Sequence, residues 1–126
     1  MRGGDPGMVL VVDDDKVLAQ TMASSLESRG WPARVAHDCA EARIAITEVD
    51  PQLLVLDLNL PDGHGWDLLD EFRAGPLPAE VPVIIVSSLP VTRSQVRERR
   101  VAAYLAKPFG MPNLLETVRS LALQRS

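Results

Sequence analysis

Three runs of branched aliphatic residues constrain this chain most: VLVV at 9–12, LLVL at 53–56 and VIIV at 83–86. No polar residue alternates within them, so neither face of such a strand can be left in water. Short continuous runs of this kind suit a parallel sheet covered on both faces. Between them lie segments with helical periodicity. Residues 16–29 place Val17, Leu18, Thr21, Met22, Ser25 and Leu26 at helical spacing, and Gly30 stops that helix. DCAEARIAITEV opens with Asp38 three residues before Glu41, a start resembling a capping box. WDLLDEFRAG predicts a helix ended by Gly75, and VTRSQVRERRV a polar helix. PNLLETVRSLALQ predicts a closing helix with Pro112 near its first turn, where the missing N–H costs nothing. PARVAHD and AAYLAKPF supply two more strands, and PDGHG reads as a turn cluster. Strand followed by helix, five times over, implies an α/β fold with one parallel sheet and helices on both faces.

The length of 126 residues suits one domain. The Gly/Pro-rich MRGGDPG at 1–7 reads as a flexible leader, leaving residues 8–126 as the domain. A net charge of −4 argues against direct nucleic-acid binding, which favours basic surfaces. The lone cysteine, Cys39, excludes an intramolecular disulfide. The apolar runs are far short of the ~20 residues that span a bilayer. With no signal-peptide pattern, the expected compartment is the cytoplasm. His37 and His64 read as surface or turn residues, and Trp31 and Trp66 as packing residues.

In open parallel sheets, ligands bind outside the carboxyl ends of the strands. The first strand ends at Asp13 and Asp14, the third at Asp57, the fourth at Ser87 and Ser88, and the fifth at Lys107. All would converge on one rim. Clustered carboxylates are tolerable when a divalent cation sits among them, and Mg²⁺ typically takes one or two carboxylates and keeps several waters. No glycine-rich phosphate cradle follows the first strand. The residue types suggest phosphoryl transfer to a carboxylate. Asp57 would be the nucleophile. Mg²⁺ and Lys107 would neutralise the transferring group, and Ser87 would donate a hydroxyl hydrogen bond. Asp15 reads as a helix cap.

VVDD, DLNLPDGHG, VSS and YLAKPF, in that order, resemble the response-regulator receiver domain of two-component signalling. The resemblance covers residues 8 to about 123. It implies a flavodoxin-like doubly wound sheet of five parallel strands in the order 2-1-3-4-5, with five helices. It implies Asp57 as phosphoacceptor and metal ligand, Asp14 as a direct Mg²⁺ ligand, Asp13 as a ligand through water, and the backbone carbonyl of Asn59 as another. Ser87 matches the switch hydroxyl, Tyr104 the aromatic switch and Lys107 the family's lysine, with a cis bond to Pro108. The implied donor is a histidine kinase or a histidine phosphotransfer protein. The output would reach a separate downstream protein or a fused effector, since the chain itself ends after the fifth helix.

One departure concerns the output face. Only 19 residues separate Ser87 from Lys107, a couple fewer than the family usually carries, so a short or displaced fourth helix is expected. Arg93, Arg97 and Arg100 fall at i, i+4 and i+7, one helical face. They read as a solvated stripe or as an output face for an acidic partner. Two other classes compete with a signalling domain on these residues. A phosphatase of the haloacid-dehalogenase type needs a second acid two residues after its nucleophile, where this chain has Asn59. A contact module that is never phosphorylated would not need the acid pair, Asp57 and Lys107.

Overall fold

The structure is a computed structural model that describes residues 7–124. Most of the expected leader, residues 1–6, therefore lies outside the described residues. The chain runs β1 (Val9–Val12), α1 (Lys16–Ser28), β2 (Ala33–Ala36), α2 (Cys39–Glu48), β3 (Leu53–Asp57), β4 (Asn59–Leu60) and β5 (Gly63–His64). It continues through α3 (Gly65–Ala74), β6 (Val83–Ser87), α4 (Arg93–Glu98), β7 (Ala103–Ala106) and α5 (Met111–Gln124). The main sheet is parallel throughout, with strand order β2-β1-β3-β6-β7. With the two-residue β4/β5 pair set aside, this is the expected order 2-1-3-4-5.

The apolar runs are buried for the reason their composition predicts. Every residue of β1, β3 and β6 is buried. Alternate positions feed two cores. Leu10, Val12, Leu54, Leu56, Val83 and Ile85 pack with Ala42 and Ile46 of α2 and Leu68 and Phe72 of α3. Val9, Val11, Val55, Ile84 and Val86 face Met22 and Leu26 of α1 and Leu114 and Val118 of α5. Each such aliphatic side chain stabilises the fold by about 1.5–3 kcal/mol on burial.

Helix starts follow local chemistry. Asp15 caps α1, accepting from the Leu18 N–H at 3.0 Å. Asp38 caps α2, accepting from the Glu41 N–H at 2.7 Å. Gly30 follows α1 with φ of 89°, a left-handed conformation open to glycine.

Three expectations need correction. The buried face of α1 is Ala19, Met22, Ala23 and Leu26, whereas Val17 is 78% exposed and Thr21 is also exposed. The small alanines let the helix lie close to the sheet, which turns Val17 outward on the first turn. PDGHG is more than a turn, because Asn59–Leu60 and Gly63–His64 form a short antiparallel ladder. The fourth helix is short, as the missing residues suggest, and spans Arg93–Glu98 only. Arg100 lies beyond it with φ of 54°, so Arg93, Arg97 and Arg100 do not form one helical stripe.

Candidate functional site

The parallel register carries the polar residues to one rim. Val12 pairs with Leu56, so Asp13 and Asp57 stand level at the ends of β1 and β3. Asp57 pairs with Val86, which puts Ser87 one step further along β6. Ser87 pairs with Ala106, and Lys107 follows directly on β7.

Asp13 is 0% exposed and Asp57 3% exposed, while Asp14 points to solvent. Oxygens of these three carboxylates lie within 4.8 Å of one another. The Lys107 ammonium bridges two of them, 2.8 Å from Asp13 Oδ2 and 3.3 Å from Asp57 Oδ2. The sequence suggested Lys107 beside Asp57; its shorter contact is with Asp13. Asp13 Oδ1 accepts the Asp15 N–H at 2.9 Å, and Asp57 Oδ1 accepts the Asn59 N–H at 3.3 Å.

The electrostatics follow from burial. Desolvation, together with the negative charge of Asp13, pushes the Asp57 carboxyl above its ordinary range. The Asn59 N–H and Lys107 oppose that rise without cancelling it. Burial alone would lower the Lys107 value, but the carboxylates of Asp13 and Asp57 outweigh it and hold the ammonium above its usual range.

A divalent cation fits this donor set. Three carboxylates against one ammonium leave two negative charges unbalanced. The buried Asp13 Oδ2 has the Lys107 ammonium, 2.8 Å away, as its charge partner. Hard oxygen donors of this kind suit Mg²⁺.

Ser87 is fully buried, and its Oγ accepts the Leu89 N–H at 2.9 Å. Tyr104 is half-buried against the core, and its hydroxyl donates to the Leu89 carbonyl at 3.1 Å. Both switch candidates therefore hold the same residue, one at each of its backbone polar groups. The Lys107–Pro108 peptide is cis, as the resemblance implied.

Arg93, Arg97 and Arg100 do come together, although not on one helix. They line an open pocket of about 450 Å³ with Val96, Val101 and Tyr104. None of the three guanidinium groups forms an ion pair with another described residue.

Sequence reasoning missed four contributors. The His37 ring places Nδ1 3.2 Å from the Asp13 carbonyl oxygen. His64 caps α3 through Nδ1, which accepts the Trp66 N–H at 3.2 Å. Asp62 accepts the N–H groups of Cys39 and Ala40 at 2.7 and 3.0 Å. A Cβ on Gly65 would stand 2.6 Å from the Asp57 carbonyl oxygen and from Leu58 Cα, so only glycine lets α3 start against the Asp57 backbone. Only the glycine carried a local signal, since a Gly after a polar turn marks a close approach.

A doubly wound sheet with an acidic rim and a bridging lysine defines a class of α/β domain, and the comparisons narrow it. The response regulator receiver domain matches residues 9–119, and the chain belongs to that family. It is a receiver domain of two-component response regulators. It is 34% identical over 125 residues to the transcriptional regulatory protein TrcR of Mycobacterium tuberculosis, covering 98% of this chain and 48% of that protein. Response regulator MprA of Mycobacterium avium is 30% identical over 115 residues, covering 90% and 50%. Among solved structures, the receiver domain of Francisella response regulator 1452 superposes with a TM-score of 0.83 at 32% identity, covering 95% and 99%. The chain spans about half the length of the curated relatives it matches. No helix among the described residues is long and apolar enough to cross a membrane.

Proposed function

We propose that this domain accepts a phosphoryl group onto Asp57 from a phosphohistidine donor, a histidine kinase or a histidine phosphotransfer protein. The observation that carries the reading is the gathering of Asp13, Asp14 and Asp57 within 4.8 Å, with Lys107 bridging two of them. An Asp57 carboxylate oxygen attacks phosphorus, the P–N bond to the donor imidazole breaks, and an acyl phosphate forms. Asp14 and Asp57 would hold Mg²⁺ directly, Asp13 through water, and Asn59 through its backbone carbonyl. The cation would offset charge on the transferring oxygens. Lys107 supplies a positive charge already fixed beside Asp57, so it needs no reorganisation during transfer. Burial, which raises the Asp57 carboxyl, also keeps its oxygens poorly solvated and reactive.

After transfer, the Ser87 hydroxyl turns from Leu89 to donate to a phosphoryl oxygen. Leu89 is shared with Tyr104, so the change reaches β7 and the arginine-lined pocket. Phosphoryl transfer thereby biases an equilibrium between two arrangements of this face. Arg93, Arg97 and Arg100 there meet an acidic downstream partner or a fused effector. The domain is a signalling module whose only catalysis is its own phosphorylation and dephosphorylation. Its net charge of −4 leaves direct nucleic-acid contact to other parts of proteins that carry such domains. The same reading places it in the cytoplasm, whether free-standing or part of a longer regulator or hybrid kinase.

Incubation with acetyl phosphate and Mg²⁺, followed by intact mass, tests the assignment. The wild type should gain one phosphoryl mass and Asp57→Asn none; a gain that survives the substitution refutes it. Arg97→Glu should keep that gain and weaken partner binding, because a rim charge mainly sets association rate and salt sensitivity. Equal partner binding at low and high salt would move the output site elsewhere.

A further inference from the structure

The β4/β5 pair carries the Asn59 end of the site, and it is tied down by a contact the reaction itself does not use. Asp62 stands in the turn between Leu60 and Gly63. Its two carboxylate oxygens accept the N–H groups of Cys39 and Ala40, at 2.7 and 3.0 Å. These are the first two residues of α2, whose first amides have no partner within the helix. The helix's own cap, Asp38, takes only the Glu41 N–H. The backbone amides lower the Asp62 carboxyl below its usual range. A second observation places the same two elements in direct contact: a Cβ on Gly63 would stand 3.0 Å from Cys39 Sγ.

The contact closes a ring around the acidic rim. On one side, α2 follows β2, whose end supports Asp13: the Asp13 N–H donates to the Ala36 carbonyl at 3.0 Å, and His37 Nδ1 stands 3.2 Å from the Asp13 carbonyl oxygen. On the other side, β4 follows Asp57 and supplies the Asn59 N–H to its Oδ1. Carboxylates held this close repel, and the ladder joining β1 to β3 ends at the Val12–Leu56 pair, short of both loops. Asp62 joins those loops to each other.

We propose that Asp62 is a positioning residue that fixes the separation of the Asp13 side and the Asp57–Asn59 side of the cation site. The proposal rests on the reading of that site as one for Mg²⁺. Asp62→Ala should weaken Mg²⁺ binding about tenfold, the low end of what outer partners of a metal site contribute. Asp62→Asn, which keeps one acceptor oxygen, should recover part of the loss. Asp38→Ala is the control: it removes a charge and a cap from the same helix terminus without touching the β4/β5 pair, and should leave Mg²⁺ affinity near wild type.

Calorimetric titration with Mg²⁺ measures all four proteins. Amide hydrogen exchange in metal-free buffer gives an independent readout, with Cys39 and Ala40 exchanging faster in Asp62→Ala than in wild type. Equal Mg²⁺ affinity in Asp62→Ala and wild type, or an equal loss in Asp38→Ala, overturns the positioning role. A wild type that binds no Mg²⁺ overturns the cation site itself, and the positioning role with it.

Discussion

Removing the Lys107 ammonium should expose the electrostatic cost stored at the rim. Lys107 Nζ lies 2.8 Å from Asp13 Oδ2 and 3.3 Å from Asp57 Oδ2, and its side chain is only 18% exposed. At an effective dielectric near 20, each contact is a gross attraction on the order of 5–6 kcal/mol. Most of that offsets the desolvation of three charged groups. The net effect of deleting one partner is smaller than the gross attraction but still large, because it leaves two buried carboxylates unpaired, and about 3 kcal/mol is the low end of the usual range for such a loss. For a domain of this length, 1 kcal/mol moves the melting temperature by about 4 °C. Lys107→Ala should therefore melt about 12 °C below wild type in metal-free buffer at neutral pH.

The pH dependence has a definite sign. The folded-state value of Asp57 is raised, so its protonated form favours the fold, and that stability fades as pH rises through the raised value. Without Lys107 the value rises further. The gap between wild type and Lys107→Ala should thus be smallest at acid pH and widen toward neutrality. Saturating Mg²⁺ should narrow it again by supplying the missing positive charge. Thermal melts followed by circular dichroism, across pH with and without Mg²⁺, measure each of these. A melting temperature within about 2 °C of wild type at pH 7 without metal would refute the reasoning, as would a gap that widens toward acid.

Two further predictions concern the shell of the site. Gly65→Ala should destabilise the fold by about 1–3 kcal/mol through overpacking, because its Cβ would meet the Asp57 carbonyl oxygen at 2.6 Å; an unchanged urea midpoint would contradict this. Burial and then Asp62 raise the Cys39 thiol to about 11 from an ordinary value of 9.0, so its thiolate is about a hundredfold scarcer in the folded chain. Iodoacetamide at pH 8 should label the native protein at least that much more slowly than the urea-unfolded protein, and equal rates would sink the claim.

The contrast between Lys107 and Asp62 separates what sequence can carry from what it cannot. Asp13, Asp14, Asp57, Ser87 and Lys107 were legible because each lies at a strand end or within two residues past one, and parallel register alone brings strand ends together. Burial of β1, β3 and β6 was legible for a similar reason, since an uninterrupted aliphatic run has no face to leave in water. The rotation of α1 was not, because both Val17 and Ala19 fit a helical face and only the distance to the sheet decides between them. The arginines lost their common helix when the chain left α4 after Glu98, a stop set by backbone geometry at Arg100 and not by a Gly or Pro. Tertiary folding nevertheless returned all three to one pocket. Asp62 lies at the far end of this scale. Within its own segment it is an ordinary turn residue, and the amides it accepts lie 22 and 23 residues away in sequence. No local pattern encodes such a pair. It arises once α2 and the β4/β5 pair are set side by side at the rim, where amides with no helical partner draw in the nearest carboxylate.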